Sequence, residues 1–388
     1  MEQNKNVMNS FKKALDKKIV QSLKNNYGIE NYDEYRFGQY PLINKESSKI
    51  KVKRSFIYQL KSIIKIIVGH NPQKNNYIIS GNNFIAPYSK QLEKIWQNIN
   101  PIDKELLVDL VAYKFLGYKK VKLPRNNKAY WKAIATAKSL SNPNDTYDPH
   151  FMHFILEKFD LTPIDFDVKF YFSEIGVAID YIIEQYAYKI NDKKIVAVES
   201  GDTVLDIGGC WGDTALYFAS KTGNDGKVYS FEFIPDNIKL FNLNTSLNPN
   251  LLPQIALVPN PVSNTSGQKI YFKDNGPGSS VAFEEFEGQT GTALTISIDD
   301  FVKQNNINSI DFIKMDIEGA EPFALEGAIE TIKKFRPKLA IAIYHSMNDF
   351  VNIPNWILDL NLDYEIFIGH YTIHGEETIC FAKPRINK

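Results

Sequence analysis

From residue 203 to the C-terminal end, apolar and polar positions follow two alternating periods. Short apolar runs at 203–207, 227–231, 255–258, 311–315, 338–344, 363–368 and 377–382 have the length and β-branched content of strands. Between them, 212–222, 235–246, 320–334 and 352–360 carry apolar residues at helical spacing. Strands alternating with helices predict an α/β fold with a mostly parallel sheet. Only His370 to Glu376 separates the last two strands, too few residues for a helical crossover, so these two are expected to pair antiparallel.

Upstream the pattern is less regular. Phe11, Leu15, Ile19 and Leu23 predict a short helix, Phe56 to Val68 a second, and Lys104 to Leu116 a third with Gly117 as its C-cap. Arg125–Lys128 and Ser141–Pro149 read as loops, Val168 to Phe172 as a strand, Val177 to Tyr188 as a helix, and Lys189 to Asp202 as a polar linker. A boundary near residue 165 follows. It leaves a mostly helical N-terminal region, 1–165, for substrate recognition or oligomerisation, and a sheet domain at 166–388.

Composition adds two constraints. Lys plus Arg equals Asp plus Glu, 45 each, but residues 1–70 hold 14 basic and 6 acidic side chains. Lys51, Lys53, Arg54, Lys61 and Lys65 beside the second helix read as a solvated basic face, with weak contact to an anionic membrane surface as the alternative. The aromatic residues show no nucleic-acid-binding module, so no nucleic-acid partner is expected. Cys210 and Cys380 are too few for a disulfide framework, and neither a signal-peptide core nor a membrane-length apolar stretch is present. A cytoplasmic protein is expected.

Chemistry concentrates at strand ends. VLDIGGCWGDT, 204–214, joins a strand to a helix through glycines at 208, 209 and 212. Cys210 stands where a dinucleotide fingerprint needs its second glycine, which argues against a nicotinamide oxidoreductase. Asp206, at the strand end, suits a cationic sulfonium amino acid better than a diphosphate. Glu232 closes the next strand 24 residues after Gly208, the position of a carboxylate that accepts both ribose hydroxyls of an adenosine ligand.

Asp316 and Glu318 follow the fourth strand and His345 the fifth, at the carboxyl edge where such sheets bind ligands. His345 is a candidate general base, with Asp316 orienting it or acting as base itself. Alternatively, Asp316, Glu318 and His345 hold a divalent metal. Glu321 and Glu318 also favour the following helix N-terminus electrostatically. His370, Tyr371 and His374 flank the last turn, as a polar rim loop or as groups that grip a sugar.

VLDIGGCWGDTALYFA, KVYSFEFIPDN, DNGPGSS at 274–280 and FIKMDIEGAE at 312–321, with IAIYHS and HYT behind them, resemble the FkbM-family methyltransferases. The likeness covers about 168–383 and extends weakly to VAYKFLGYKKVKLP at 111–124. It implies a Rossmann-like class I methyltransferase sheet that takes S-adenosylmethionine, releases S-adenosylhomocysteine and methylates a hydroxyl. The implied acceptor is a sugar, nucleotide sugar or glycan, or a natural product. A non-catalytic cofactor-binding or assembly module is the rival reading, and a homo-oligomer is compatible with either. Carried over by motif, Asp206, Gly208, Gly209 and Gly212 line the methionine end, Glu232 the ribose, and Phe233 with Pro261 and Val262 the adenine. Glu184 and Tyr186 close over the cofactor. Gly209-Cys210-Trp211 departs from the family's commoner Ala-Asn-Ile.

Overall fold

The computed structural model describes residues 10–40 and 72–385, so the helix expected at Phe56–Val68 and its basic residues lie outside the described residues. The chain divides into two compact units. Among the described residues, one comprises 10–40, 72–97, 104–126 and 373–375, and the other 98–103, 127–372 and 376–385.

The first unit is helical. In Ser10–Ser22, Phe11, Leu15 and Ile19 form one buried stripe, as their spacing predicts. Ile19 packs so closely on Pro72–Ile85 that a Cβ at Gly81 would stand 2.5 Å from Ile19 Cδ1. The helix Pro101–Leu116 stops at Gly117, whose φ of 76° lets its N–H donate to the Tyr113 carbonyl at 2.8 Å. Asn31 is buried and donates to the carbonyls of Tyr118 and Val121.

The second unit is built on a seven-stranded sheet: β1 (Thr203–Ile207), β2 (Lys227–Phe231), β3 (Ile255–Val258), β4 (Phe312–Met315), β5 (Lys338–Ala342), β6 (Tyr364–His370) and β7 (Thr378–Pro384). Their spatial order is β6-β7-β5-β4-β1-β2-β3. The first five are parallel, while β7 runs antiparallel to both β5 and β6, as the short terminal connection requires. The chain leaves β1 toward β2 on one side and returns to β4 on the other. In open α/β sheets ligands bind at such a switch point, which here falls at the carboxyl ends of β1 and β4.

Several elements differ from expectation. Residues 127–165 belong to the sheet unit, because Ala133, Phe151, Leu156 and Phe159 share one core with Phe170, Tyr181, Trp211 and Phe241. In this part of the chain the two compact units meet at 126/127. The presumed loop at 125–128 hides a helix start: Asn127 accepts from Ala129 N and Tyr130 N and caps Lys128–Lys138. Ser141–Tyr147 pairs with Leu156–Asp160 despite its polarity, with an irregularity between Asn142 and Thr146.

The polar linker contains a hairpin, Tyr188–Ile190 with Lys193–Val196, anchored by the buried Val196. Val177–Tyr188 is a helix only to Ile183, widening to π geometry from Ala178 and ending where Glu184 takes a φ of 58°. The long helix at 320–334 is two, α1 (Glu321–Glu326) and α2 (Ile329–Phe335), parted at Gly327. There the backbone approaches Ser263 so closely that a Cβ would meet its carbonyl oxygen at 2.3 Å.

Candidate active site

The glycine loop is clamped from both sides. Gly208 and Gly209 both donate their N–H to the Phe231 carbonyl, at 3.1 and 2.8 Å, which ties the loop to the end of β2. A Cβ on Gly208, whose φ is 92°, would lie 2.0 Å from the Asp316 carbonyl oxygen, and one on Gly209 would lie 2.0 Å from Ser230 Oγ. These two glycines are therefore demanded by the chain's own close packing. Gly212, at φ 84°, begins the helix Asp213–Thr222, whose N-terminal N–H groups point toward the loop.

Asp206 lies beneath this loop. It is fully buried and accepts from Thr214 Oγ1 at 2.9–3.0 Å and from Ser230 Oγ at 2.7 Å. Lys314 Nζ is 3.2 Å from Asp206 Oδ1 and donates to the Gly208 carbonyl at 2.5 Å. Ser230, Asp206 and Lys314 occupy matched positions on β2, β1 and β4, which places them in a row on one face. Through Thr214, Ser230 and Lys314 the Asp206 carboxylate braces the loop from below.

Glu232 ends β2 as expected. Its Oε1 accepts from Phe233 N (2.6 Å) and Ile234 N (2.7 Å), and its Oε2 from Asn237 Nδ2 (3.1 Å). Asn237 also accepts from Trp211 Nε1 at 3.0 Å, so the unusual Gly209-Cys210-Trp211 turn is coupled to this glutamate. Burial pushes the Glu232 carboxyl up to about 7, against the pull of those three hydrogen bonds. Phe233 stands edge-on to Phe272 at 5.5 Å, and Val262 is buried beside the bridge to Ile296.

Glu184 and Tyr186 part company. Glu184 is gripped by Lys189, Lys194 and Lys221 at 2.6–3.0 Å and accepts from Tyr217 Oη. Burial opposes ionisation, yet the three lysines hold its carboxyl down to about 2. Its carboxylate thus closes a cluster of lysines and is not brought to the glycine loop. Tyr186 instead reaches the Asp316 cluster, its hydroxyl 3.4 Å from Asp316 Oδ2.

Beyond β4 the chain turns sharply, with Glu318 and Gly319 both at positive φ (57° and 95°). This turn gathers Asp316, Glu318 and Glu321 around His345, which follows β5. His345 Nε2 is 3.1 Å from Asp316 Oδ1 and 3.2 Å from Glu321 Oε1, and Nδ1 is 3.7 Å from Glu318 Oε2. Tyr344 Oη donates to Asp316 at 3.0 Å.

Burial would lower the His345 pKa, but the hydrogen bonds and charges of Asp316 and Glu321 push it up to about 11. For Asp316 burial is likewise outweighed, and His345 and Lys314 hold its carboxyl below the ordinary range. Glu318 is pushed up to about 7 by burial and by the Asp316 charge. The surrounding carboxylates favour the charged form of the imidazole, whereas use as a base or as a metal ligand requires the neutral form.

Sequence reasoning missed three contributors. Lys314 was legible as a lysine inside an otherwise apolar strand, FIKM. Glu321 was read as a helix-end charge, yet it is fully buried and turns Oε1 to His345 and to the Ile317 N–H. Asp213, buried at the helix start, was hidden in the glycine-loop motif, and burial pushes its carboxyl up to about 6. His370 and His374 are buried and do not form a polar rim. His370 Nδ1 lies 2.9 Å from Thr378 Oγ1, and His374, in the first unit, lies 3.5 Å from Asp33.

Among the described residues no helix is long and apolar enough to cross a membrane. No curated protein matches the chain. Among solved structures, a methyltransferase FkbM from Methylobacillus flagellatus KT aligns at 16% identity and a TM-score of 0.48. That alignment covers 78% of this chain, which spans 60% of the other's length. A putative rRNA-methylase from Clostridium thermocellum aligns at 13% identity and TM-score 0.32, over 49% of this chain and 90% of the other. The fibrillarin of Aeropyrum pernix with natively bound S-adenosyl-L-methionine aligns at 12% and 0.31, over 58% and 93%. Residues 199–366 match the model of the Methyltransferase FkbM domain, a span that runs from the approach to β1 into β6 and contains the glycine loop, Glu232, Asp316 and His345. The motifs stand in their order along this span, so the similarity to the FkbM methyltransferase domain extends over residues 199–366.

Proposed function

We propose that the protein transfers a methyl group from S-adenosylmethionine to a sugar hydroxyl, on a free sugar, a nucleotide sugar or a glycan. The observation that carries this reading is the contact between loop and cluster. Asp316 N donates to the Ile207 carbonyl at 3.0 Å, and the Asp316 carbonyl abuts Gly208. A donor held over the glycine loop would therefore lie beside Asp316, Glu318, Glu321, His345 and Tyr344. Carboxylates and a phenol match a hydroxyl acceptor, whose proton must leave as the new C–O bond forms and the C–S bond breaks. Rate comes mainly from alignment of that oxygen with the methyl group.

In this reading the backbone at Gly208, Gly209 and Gly212 receives the methionine end, Glu232 the ribose and Phe233 the adenine edge. Asp316, Glu318 and His345 handle the acceptor, with Tyr186 positioning Asp316 and Glu184 fixing the segment that carries Tyr186. The two unpaired cysteines, Cys210 and Cys380, support a reducing, cytoplasmic setting. Calorimetry with S-adenosylhomocysteine and with NAD tests the cofactor: the first is expected to bind and the second is not. Incubation with nucleotide sugars and glycans, read as a mass gain of one methyl, tests the acceptor. A gain on nitrogen-containing acceptors alone would overturn the hydroxyl assignment.

A further inference from the structure

We propose that Asp316, Glu321 and His345 form a binding site for one divalent first-row cation, with Glu318 as the outer carboxylate that orients the histidine. Three side chains from the ends of two neighbouring strands and one helix start converge here. Their ligand atoms all lie within 4.8 Å of one another. The His345 Nε2 separations of 3.1 Å to Asp316 Oδ1 and 3.2 Å to Glu321 Oε1 are those of neighbouring ligands on one ion. With metal–ligand bonds of about 2.1 Å, adjacent positions on a cation stand about 3 Å apart.

A second, independent observation comes from Glu321. Its side chain is fully buried, yet Oε2 has no hydrogen-bond partner. Buried polar atoms are almost always satisfied, and an orphaned oxygen on a carboxylate whose other oxygen lies 3.2 Å from His345 Nε2 is accounted for by a cation there. Glu321 Oε1 is meanwhile fixed by the Ile317 N–H at 2.7 Å, which sets the carboxylate plane.

The surroundings match a metal centre beyond the ligands themselves. A ligating histidine commonly hands its other ring nitrogen to a carboxylate, and His345 Nδ1 faces Glu318 Oε2 at 3.7 Å. Tyr344 Oη, at 3.0 Å from Asp316 Oδ1 and 3.2 Å from Oδ2, orients the aspartate in the same way. One imidazole with two carboxylates suits Mn²⁺ or Zn²⁺ better than Ca²⁺, which takes oxygen ligands alone. The sequence pointed to Glu318 as the third ligand. The structure assigns that place to Glu321, because the turn at Glu318 and Gly319 carries Glu318 to the far side of the ring.

Binding does not depend on the methyl-transfer reading, but the cation's use rests on it. Bound to the ion, an acceptor hydroxyl would release its proton to solvent more readily. Its oxygen would then form the bond to the methyl carbon as the sulfonium C–S bond breaks.

The test uses untagged full-length protein freed of metal by chelation and titrated with MnCl₂, with bound ion followed by electron paramagnetic resonance. One Mn²⁺ per chain is expected, with a nitrogen hyperfine coupling that disappears in His345→Ala. Glu321→Gln is expected to weaken binding at least tenfold, and Glu318→Gln by less than Glu321→Gln. Wild-type protein that binds no stoichiometric ion, or binds one without nitrogen coupling, overturns the site. So does a folded Glu321→Gln that binds as wild type. If Glu321→Gln does not fold, the wild-type nitrogen coupling and its loss in His345→Ala still decide. Calorimetry with S-adenosylhomocysteine on the same samples separates the two readings. Mn²⁺ binding without S-adenosylhomocysteine binding would overturn the reaction and leave the site standing.

Discussion

Lys314 and Asp206 face each other on neighbouring strands β4 and β1, both almost wholly removed from solvent, with Nζ 3.2 Å from Oδ1. Neither is expected in the middle of a parallel sheet, where buried strands are ordinarily apolar throughout. The pair is made tolerable by neighbours: Ser230 and Thr214 satisfy the carboxylate, and the Gly208 carbonyl takes a further ammonium proton. Through that last bond the pair fixes the loop proposed to hold the cofactor.

Lys314→Met is therefore expected to destabilise the fold by about 3–5 kcal/mol, since it strands a buried carboxylate. Denaturant unfolding measures this. Adding Asp206→Asn in the same chain should recover part of the loss, because the uncompensated charge is then gone. A Lys314→Met chain as stable as wild type would mean that the pair contributes nothing to the fold.

Gly209 and Ser230 supply a second test. A Cβ at 209 would collide with Ser230 Oγ at 2.0 Å, whereas the Ser230 Cβ is at 3.3 Å. Gly209→Ala should cost at least ~2 kcal/mol in thermal or denaturant unfolding, the size of an overpacked core site. Ser230→Ala alone should also destabilise, by removing a 2.7 Å hydrogen bond to Asp206. In the Gly209→Ala background the same change should stabilise, because it removes the colliding atom. That reversal of sign is the result to look for, and simple additivity would contradict the geometry.

The periodicity that exposes β1 to β7 in the sequence also explains what stayed hidden. Strand and helix periods report burial, so they find the sheet and its terminal hairpin. They do not report which polar atom a carboxylate meets. Asp206 and Glu232 look alike as acids closing adjacent strands, yet Asp206 points under the loop to Lys314 and Glu232 turns onto its own following backbone. Glu318 and Glu321 are three residues apart, and only the positive-φ turn at Glu318 and Gly319 decides which one meets His345 Nε2. Polar segments misled in the opposite direction, since Asn127 and Ser141–Tyr147 were punctuation in sequence and structure in the fold.

Glu184 separates a structural from a ligand role. Its pKa of about 2 lies below the ordinary glutamate value, so the stability it contributes is present above pH 4.5 and fades as pH falls toward 2. Glu184→Gln leaves Lys189, Lys194 and Lys221 facing a neutral amide. It is expected to lower stability at pH 7 by about 2 kcal/mol and to lose that deficit near pH 2. S-adenosylhomocysteine affinity, measured by calorimetry, should stay within about threefold of wild type. A tenfold loss of affinity in a folded variant would return Glu184 to the cofactor site.

Glu232 gives the opposite pH behaviour. Its carboxyl is raised to about 7 by burial, with Lys314 the cation that tempers the shift and Cys210 the other titratable side chain facing it. A carboxyl raised in the folded state favours folding while protonated, so its contribution is complete below about pH 4.5 and is lost as pH climbs through 7. Ligand binding should run the other way. Accepting both ribose hydroxyls requires the ionised form, so affinity for S-adenosylhomocysteine should rise several-fold between pH 6 and pH 8 in wild type. Glu232→Gln should abolish that dependence, and Glu232→Ala should weaken binding at least tenfold at pH 8. Calorimetry across this range reads both effects. If Glu232→Gln titrates as wild type does, the pH dependence belongs to another group. If Glu232→Ala binds normally, the ribose sits elsewhere along the β1–β2 edge.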